Sequence, residues 1–531
     1  MRRRNLTTRL AGESGFTMVL SMMVLLVASL IVIAAFTTAN GDSGTSRRDQ
    51  YSKQAYNAAE AGVNFYLAKL VQDTNWWTNC YTPTGVVQPG TLFGAADAAN
   101  DVRSVPSSQG KYMVELLKPP NGITTGCVSN QSDSVIDSRS GMMSIRATGS
   151  YRGTRRSIVA TFKRKGFLDY LWFTDKETPA PATRDDNNPN TTADQTLMAE
   201  CARYVRDGRV AGDCGDQYWF DDEIVEGQSH TNDRWRTQGS PIFGREDKND
   251  STEATDPDGI DSSSGSPVFR GRFIQGAPNL QIPDLDPSLT AQATVPGDDW
   301  AVTGPVHITL QGGSVEVRGP RQADGNAGPL LKSGSPPKGV IYVKNGTCLT
   351  TSYLAGQTYP RENGCGDAWV SGNSDKDITI AAAKDVIVEG PVTHSATSVV
   401  GLIANGFVRV YHPCWSGTNQ SSSDNGSVRG EGAGGSTTNL TIEAAILALK
   451  NSFMVDNWDC GNYLGELRVK GAIAQAYRGT VSGSGLSHGY LKKYTYNPAL
   501  RYHQPPYYLN PVEATWGIYS QTEQSGAVAV S

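Results

Sequence analysis

The sequence predicts a mainly β chain: one long N-terminal transmembrane α-helix, a small α+β head, then a parallel, right-handed β-helix or solenoid. Three observations carry this. A basic tip precedes a long uncharged apolar run. In the second half, apolar positions return at an offset of 22 residues. The composition, with 57 Gly and 27 Pro in 531 residues and only 19% charged, is unlike a helical bundle or coiled coil, which would be dominated by Ala, Glu, Lys and Leu. The length points to more than one domain and is ample for sizeable cores.

The N-terminal element follows from charge and length. The chain carries a formal charge of −5. Residues 1–15 hold Arg2, Arg3, Arg4 and Arg9 against the single Glu13, which leaves 43 Lys+Arg against 51 Asp+Glu and a body of −8. No charge occurs from Ser14 to Gly41. Within that window residues 16–36 form an apolar run that would be about 31 Å long as a helix, close to the hydrocarbon thickness of a bilayer. A secretory signal has a shorter apolar region and ends in a small-x-small site, so an uncleaved single-pass anchor is the plainer reading. The arginines place the N-terminus in the cytoplasm and the body outside the cytoplasmic membrane. All eight Cys lie in that outer part, where disulfides persist. Beyond the anchor, residues 51–71 carry Ala55, Ala58, Ala59, Gly62, Val63, Tyr66 and Leu70 at spacings of three and four, one apolar stripe on a helix. Between the two helical stretches, Asn40-Gly41-Asp42-Ser43-Gly44 marks a kink or a short break.

A basic leader ending in Gly15-Phe16, at the very start of an apolar helix, resembles the type IV prepilin signal. The Ala-Ala-Glu-Ala-Gly of residues 58–62 resembles the post-membrane helix of PilX-class minor pilins. The resemblance covers residues 10–75. It implies a leader over 1–15, cleavage after Gly15 by a prepilin peptidase, methylation of Phe16, and other pilin subunits as partners. Major pilins carry Glu at the fifth mature position, where this chain has Leu20. A carboxylate at membrane depth is costly unless paired, and subunits without it tend to be minor ones, including tip or priming subunits. The chain also differs in size, being several times longer than an ordinary pilin. From about residue 157 it resembles large surface proteins with a pilin-like N-terminus, a likeness that implies no activity.

The expected organisation is a leader (1–15), a transmembrane and pilin-like helix (16–75), a small α+β head (76–170), a linker (171–216), a parallel β-helix (217–490) and a C-terminal cap and tail (491–531). In the head, 111–117, 143–147 and 157–162 read as strands, with Ser150-Tyr151-Arg152-Gly153 as a hairpin turn. Residues 179–194 and 246–266 are polar and aperiodic. The repeat rests on Ile378, Ile380 and Ala382 against Val400, Leu402 and Ala404, and on Val386 and Val388 against Val408 and Val410. It returns at 445–455 and 472–481. Residues 223–230 and 386–394 share an apolar pair, Glu-Gly and then His, which makes His230 and His394 equivalent structural positions. Short strands with Gly corners at such a period signal stacked coils that share one core. The Gly/Ser/Asn-rich 416–439 is a loop thrown out between coils. The Tyr- and Pro-dense 490–508 covers the exposed end, or else forms a binding face. Candidate disulfides are Cys80 with Cys127, Cys201 with Cys214, Cys348 with Cys365, and Cys414 with Cys460. Eight cysteines allow on the order of a hundred connectivities.

Chemistry is sparse. No basic stripe exists to neutralise phosphates, so no nucleic-acid partner is expected. Six His are few for a metalloprotein, the cysteines lack CxxC spacing, and no nucleotide-binding or nucleophile motif occurs in usable context. Asp256-Pro-Asp-Gly-Ile-Asp resembles the start of a calcium loop, but Pro267 stands where the closing Glu belongs. Asp221, Asp222 and Glu223 alternate in direction if extended, and Asp385 and Glu389 have no evident partner. The expectation is therefore no enzyme, no metal and no cofactor. The leading reading is a minor pilin-like component of a type IV pilus or related filament that displays a large extracellular solenoid. It would prime assembly or adhere to a surface glycan or protein. The alternatives are an uncleaved membrane-anchored scaffold and a tethered carbohydrate-active enzyme.

Overall fold

The computed structural model describes residues 16–73, 76–79, 102–117, 136, 142–164, 166–183, 192–210, 214–215, 217–221, 223–321, 327–348, 364–412, 437–459, 462–483, 487–501, 503–511 and 516–524. The leader with Gly15, the cysteines Cys80, Cys127, Cys414 and Cys460, and the loop over 416–436 lie outside the described residues. The chain is mainly β, with one long N-terminal helix, α1 (Phe16–Gln72).

The head is an antiparallel sheet of five strands in the order Arg103–Ser104, Lys111–Leu116, Met142–Tyr151, Thr154–Arg164 and Trp516–Gln524. The central hairpin turns on Arg152 and Gly153, whose φ values of 47° and 81° are the pair of positive angles that a two-residue hairpin turn requires. Arg152 is not a glycine, and its guanidinium over the Tyr51 ring at 5.5 Å helps to hold the turn. The fifth strand comes from the far end of the chain. Trp516 pairs with Arg164, so the intervening chain leaves and rejoins the sheet at one place.

That intervening chain builds a stack of short parallel strands in three ladders, called here faces A, B and C. Face B holds Val306, Ala368, Val386, Val408 and Phe453 with the residues after them. Face C holds the second halves of Val306–Gly312, Ala368–Ser374 and Val386–His394, the first halves of Thr441–Ala448 and Tyr463–Tyr477, and then Gly489–Tyr496, Ile224–Glu226 and Ile242–Phe243. On face A the order is Ala301–Thr303, Val340–Lys344, Ile378–Ala382, Val400–Ala404, the second half of Thr441–Ala448, the second half of Tyr463–Tyr477, Trp172–Lys176, Ser229–Thr231, Thr252–Ala254 and Phe273–Gln275. The 22-residue offset is the pairing register itself: Ile380 faces Leu402, and Val388 faces Val410. Ile341, Ile380, Leu402, Ile446, Ile473 and Trp172 stand one above another, fully buried, along the interior. Each such side chain contributes about 1.5–3 kcal/mol by leaving water.

Stack order is not chain order. The first strand, Trp172–Lys176, lies in the middle, and the chain proceeds from it to the end at Phe273–Gln275. Residues 276–300, including α3 (Ser288–Ala293, after α2 at Thr192–Cys201), then return along the outside of face A to the opposite end. Leu280 exchanges two hydrogen bonds with the Asn232 amide near one end, while Lys338 reaches Gln292 near the other. This return segment and residues 498–511 roof the outward side chains of face A, among them Ala381, Ile403, Leu447 and Ala474.

From there the chain stacks back until Ile473 lands on Trp172 and Tyr494 on Val225. This seam joins residues about 300 positions apart and is densely packed. Trp172 stacks on Tyr494 at 5.7 Å and meets the edge of Trp219 at 5.0 Å. Arg478 pairs with Glu177 at 2.9 Å, both fully buried, and donates to the carbonyls of Gln217 and Tyr218. Its guanidinium lies 4.3 Å from the Trp219 ring centroid. Lys492, paired with Glu223, lies 5.3 Å from the same ring centroid.

Three expectations change. Residues 171–216 are not simply a linker, because Trp172–Lys176 is a central strand of the stack and Thr192–Cys201 a helix. Residues 491–531 are not an end cap. Gly489–Tyr496 is an interior rung, residues 498–511 lie along face A, and Trp516–Gln524 belongs to the head. The cover at one end is instead an antiparallel meander of Ser314–Arg318 and Leu330–Gly334. His230 and His394 are not equivalent: His230 lies on face A, while His394 ends a strand that turns from face B to face C. The shared sequence pattern falls on different faces because different numbers of residues separate the successive strands.

Replacing Arg478 by Ala leaves the Glu177 carboxylate buried and unpaired. The expected loss is about 3–5 kcal/mol, with a smaller loss in the double replacement Arg478→Met, Glu177→Leu. Denaturant unfolding followed by tryptophan fluorescence measures both. Since the chain leaves and rejoins the head at paired residues, joining residue 164 to 516 through a short Gly/Ser turn should leave a folded head. Circular dichroism and NMR dispersion of residues 45–164 so joined to 516–524 test this, and an unfolded product would show that the head depends on the stack.

Candidate functional site

The element with the clearest functional geometry is α1. It runs unbroken through Asn40–Gly44, so the expected kink or break does not interrupt the helix. Its 57 residues would span about 86 Å. The two ends of the helix meet different surroundings. Thr17–Ala35 has a mean hydropathy of 2.8 and is exposed, with none of it buried by the described residues. It is long and apolar enough to cross a membrane. Its two serines donate back to carbonyls one turn earlier, Ser21 to Thr17 and Ser29 to Leu25, each at 2.8 Å. The hydroxyls therefore need no outside partner in an apolar medium. Leu20 is exposed on this half. Phe16 is the first helical residue.

The second half is buried by the stripe read from the sequence. Ala55, Ala59, Val63, Tyr66 and Leu70 are fully covered by the head sheet. Tyr66 packs on Phe162 at 5.8 Å, and burial pushes its phenol far above the usual range. The approach is close because Gly149 faces the helix: a Cβ there would come within 2.0 Å of the Ala55 carbonyl oxygen. The head thus grips α1 and projects its apolar half freely.

The other sequence candidates take structural roles. The structure pairs Cys201 with Cys214 and Cys348 with Cys365. Asp221 accepts from the Ser240 amide, while Glu223 turns inward to Lys492, so the two carboxylates part; Asp222 lies outside the described residues. Asp256 is buried against Arg234 and accepts from the Asp258 amide, which makes its loop an acidic turn. Asp385 meets Arg409 at 3.2 Å. Among the described residues no group of three or more His, Cys, Asp or Glu is placed to hold a metal.

Tyr490, Tyr494 and Tyr496 point into the stack core and Tyr508 packs beneath the face A roof, so this tyrosine cluster is interior. His230 is buried with Glu253 and Asn232 on its two ring nitrogens, under the return segment. Glu389, without an evident partner in the sequence, binds His307 at 2.9 Å and Arg321 at 3.3 Å. These partners lie 82 and 68 positions away. Only the register of the ladders brings them together, and no local pattern marks them.

No family model and no curated protein matches the chain. Among solved structures it is similar to the competence-associated pilin ComZ from Thermus thermophilus, at 12% identity over 89% of this chain and 97% of that one, with a TM-score of 0.28. A superposition this loose carries no argument about shared function.

Replacing Gly149 by Ala would force the sheet away from α1, with an expected cost of about 1–3 kcal/mol from overpacking. Thermal unfolding, together with faster proteolysis within residues 50–72, would show it.

Proposed function

We propose that the protein is a minor, low-copy, pilin-like subunit of a type IV pilus or related filament. Cleavage after Gly15 and methylation of Phe16 by a prepilin peptidase would produce the mature N-terminus. Residues 16–36 would anchor the subunit in the cytoplasmic membrane before assembly and pack against other pilin subunits afterwards. The parallel ladders would wind as a solenoid carried outside the cell, priming assembly or adhering at the filament tip. The role is display and binding rather than catalysis. The observation that supports this best is the divided helix: a free apolar half of membrane length, continuous with a half that the head sheet buries. Leu20, where a Glu would pair with a neighbouring subunit, supports a minor position.

Two measurements test the reading. Mass spectrometry of the mature N-terminus should find methylated Phe16 only in cells that hold the peptidase. Retention of residues 2–15 would instead make the protein a plain membrane anchor. Immunogold labelling should mark filament ends sparsely, and labelling along the whole fibre would sink the minor role.

A further inference from the structure

The three faces of the stack are finished differently. Face A is roofed by residues 276–300 and 498–511. Face B turns Trp369, Ile387 and Tyr411 into a buried cluster. Among the described residues, face C is polar and exposed or half-buried along its outward row. Its outward row pairs Gln311 with Asn373 and Asn373 with Thr393, and further along the face Lys470 with Thr495. At the end nearest the antiparallel meander, Arg321 reaches over this face and meets Glu389. Together they wall a cleft of about 570 Å³ whose remaining lining includes Thr309, Ser371, Asn373 and Thr393.

The chemistry of the lining is specific. It offers hydroxyls, one carboxamide and one carboxylate over a floor flattened by Gly372 and Gly390. Its two charges cancel each other. Burial pushes the Glu389 carboxyl up, but the hydrogen bonds of His307 and Arg321 and the charge of Arg321 outweigh it, so the group is held below its usual range. An anionic ligand would have to take Arg321 from Glu389. An apolar ligand would strip water from polar groups that it could not satisfy. A ligand rich in hydroxyls, uncharged and long enough to lie in an open cleft meets none of these costs.

We propose that the cleft on face C binds a neutral oligosaccharide, with Asn373 and Thr393 contacting sugar hydroxyls directly and Glu389, held by His307 and Arg321, accepting from one more. The proposal deepens the adhesive part of the proposed function and rests on that reading of the body as a displayed binding surface. Its test needs no filament. Purified full-length protein in detergent is titrated with cellohexaose, maltohexaose and chitohexaose, with trigalacturonate as the anionic comparison, and binding is read by saturation-transfer NMR. At least one neutral hexasaccharide should bind, more tightly than trigalacturonate. The double replacement Asn373→Ala, Thr393→Val should weaken it by about tenfold or more, while Lys470→Ala, on the same face outside the cleft, should leave it unchanged. Circular dichroism verifies the fold of each variant. Binding of none of the three, binding that survives the double replacement, or preference for trigalacturonate would overturn the proposal. Such a failure beside a methylated Phe16 would remove the saccharide site and leave the filament reading standing. Binding beside an uncleaved leader would do the reverse.

Discussion

The rest of the structure depends on the seam where the last rungs of the stack settle on the first. Parallel strands cannot satisfy their backbone groups locally, since each needs a neighbour that arrives only after a long excursion of the chain. Here the first strand, Trp172–Lys176, is left with one open edge until Tyr463–Tyr477 covers it. The closing contact uses large, poorly substitutable groups: the Trp172, Trp219 and Tyr494 rings, and the Arg478–Glu177 pair with its carbonyl acceptors. Buried ionic groups are a weak source of net stability, but a slip in register that separated one pair would leave a buried charge uncompensated. At the seam, the Arg478–Glu177 and Lys492–Glu223 pairs join early and late chain where misregistered stacking is otherwise easy.

The return of Trp516–Gln524 to the head follows from the same closure. Because the chain enters and leaves the stack near its middle, entry and exit both lie close to the head. Lys163, at the edge of the head sheet, reaches Asp169 and the Arg501 carbonyl at the entry and exit of the stack. The large body therefore hangs on the small one at one place, and the head keeps its grip on α1. A single helix then joins a membrane-length apolar segment to a body of several hundred residues without a break.

Much was legible where the determining interactions are local. The apolar run is the first half of α1. The stripe from Ala55 to Leu70 is the face that the head buries. The turn at Arg152-Gly153 announces its hairpin. The 22-residue offset is a pairing register because parallel strands separated by equal lengths of chain place equivalent residues on one ladder. The same reasoning failed for His230 and His394, where unequal coils put a shared pattern on different faces. Trp172–Lys176 was not legible either: it is a lone short strand followed by a polar stretch, and one of its two partners lies about 300 residues further on.

The sequence alone determined the class of the molecule: a membrane-length helix, an amphipathic continuation, and a repeated β pattern able to share a core. It did so because periodicity and apolar length express themselves over a few turns or one coil. Only the tertiary structure decided the order of the rungs, the side chains that meet at the seam, the roof over face A, and the pairing of Glu389 with His307 and Arg321. Those depend on which strand lies above which, a choice set by long-range burial and register rather than by any neighbouring residue.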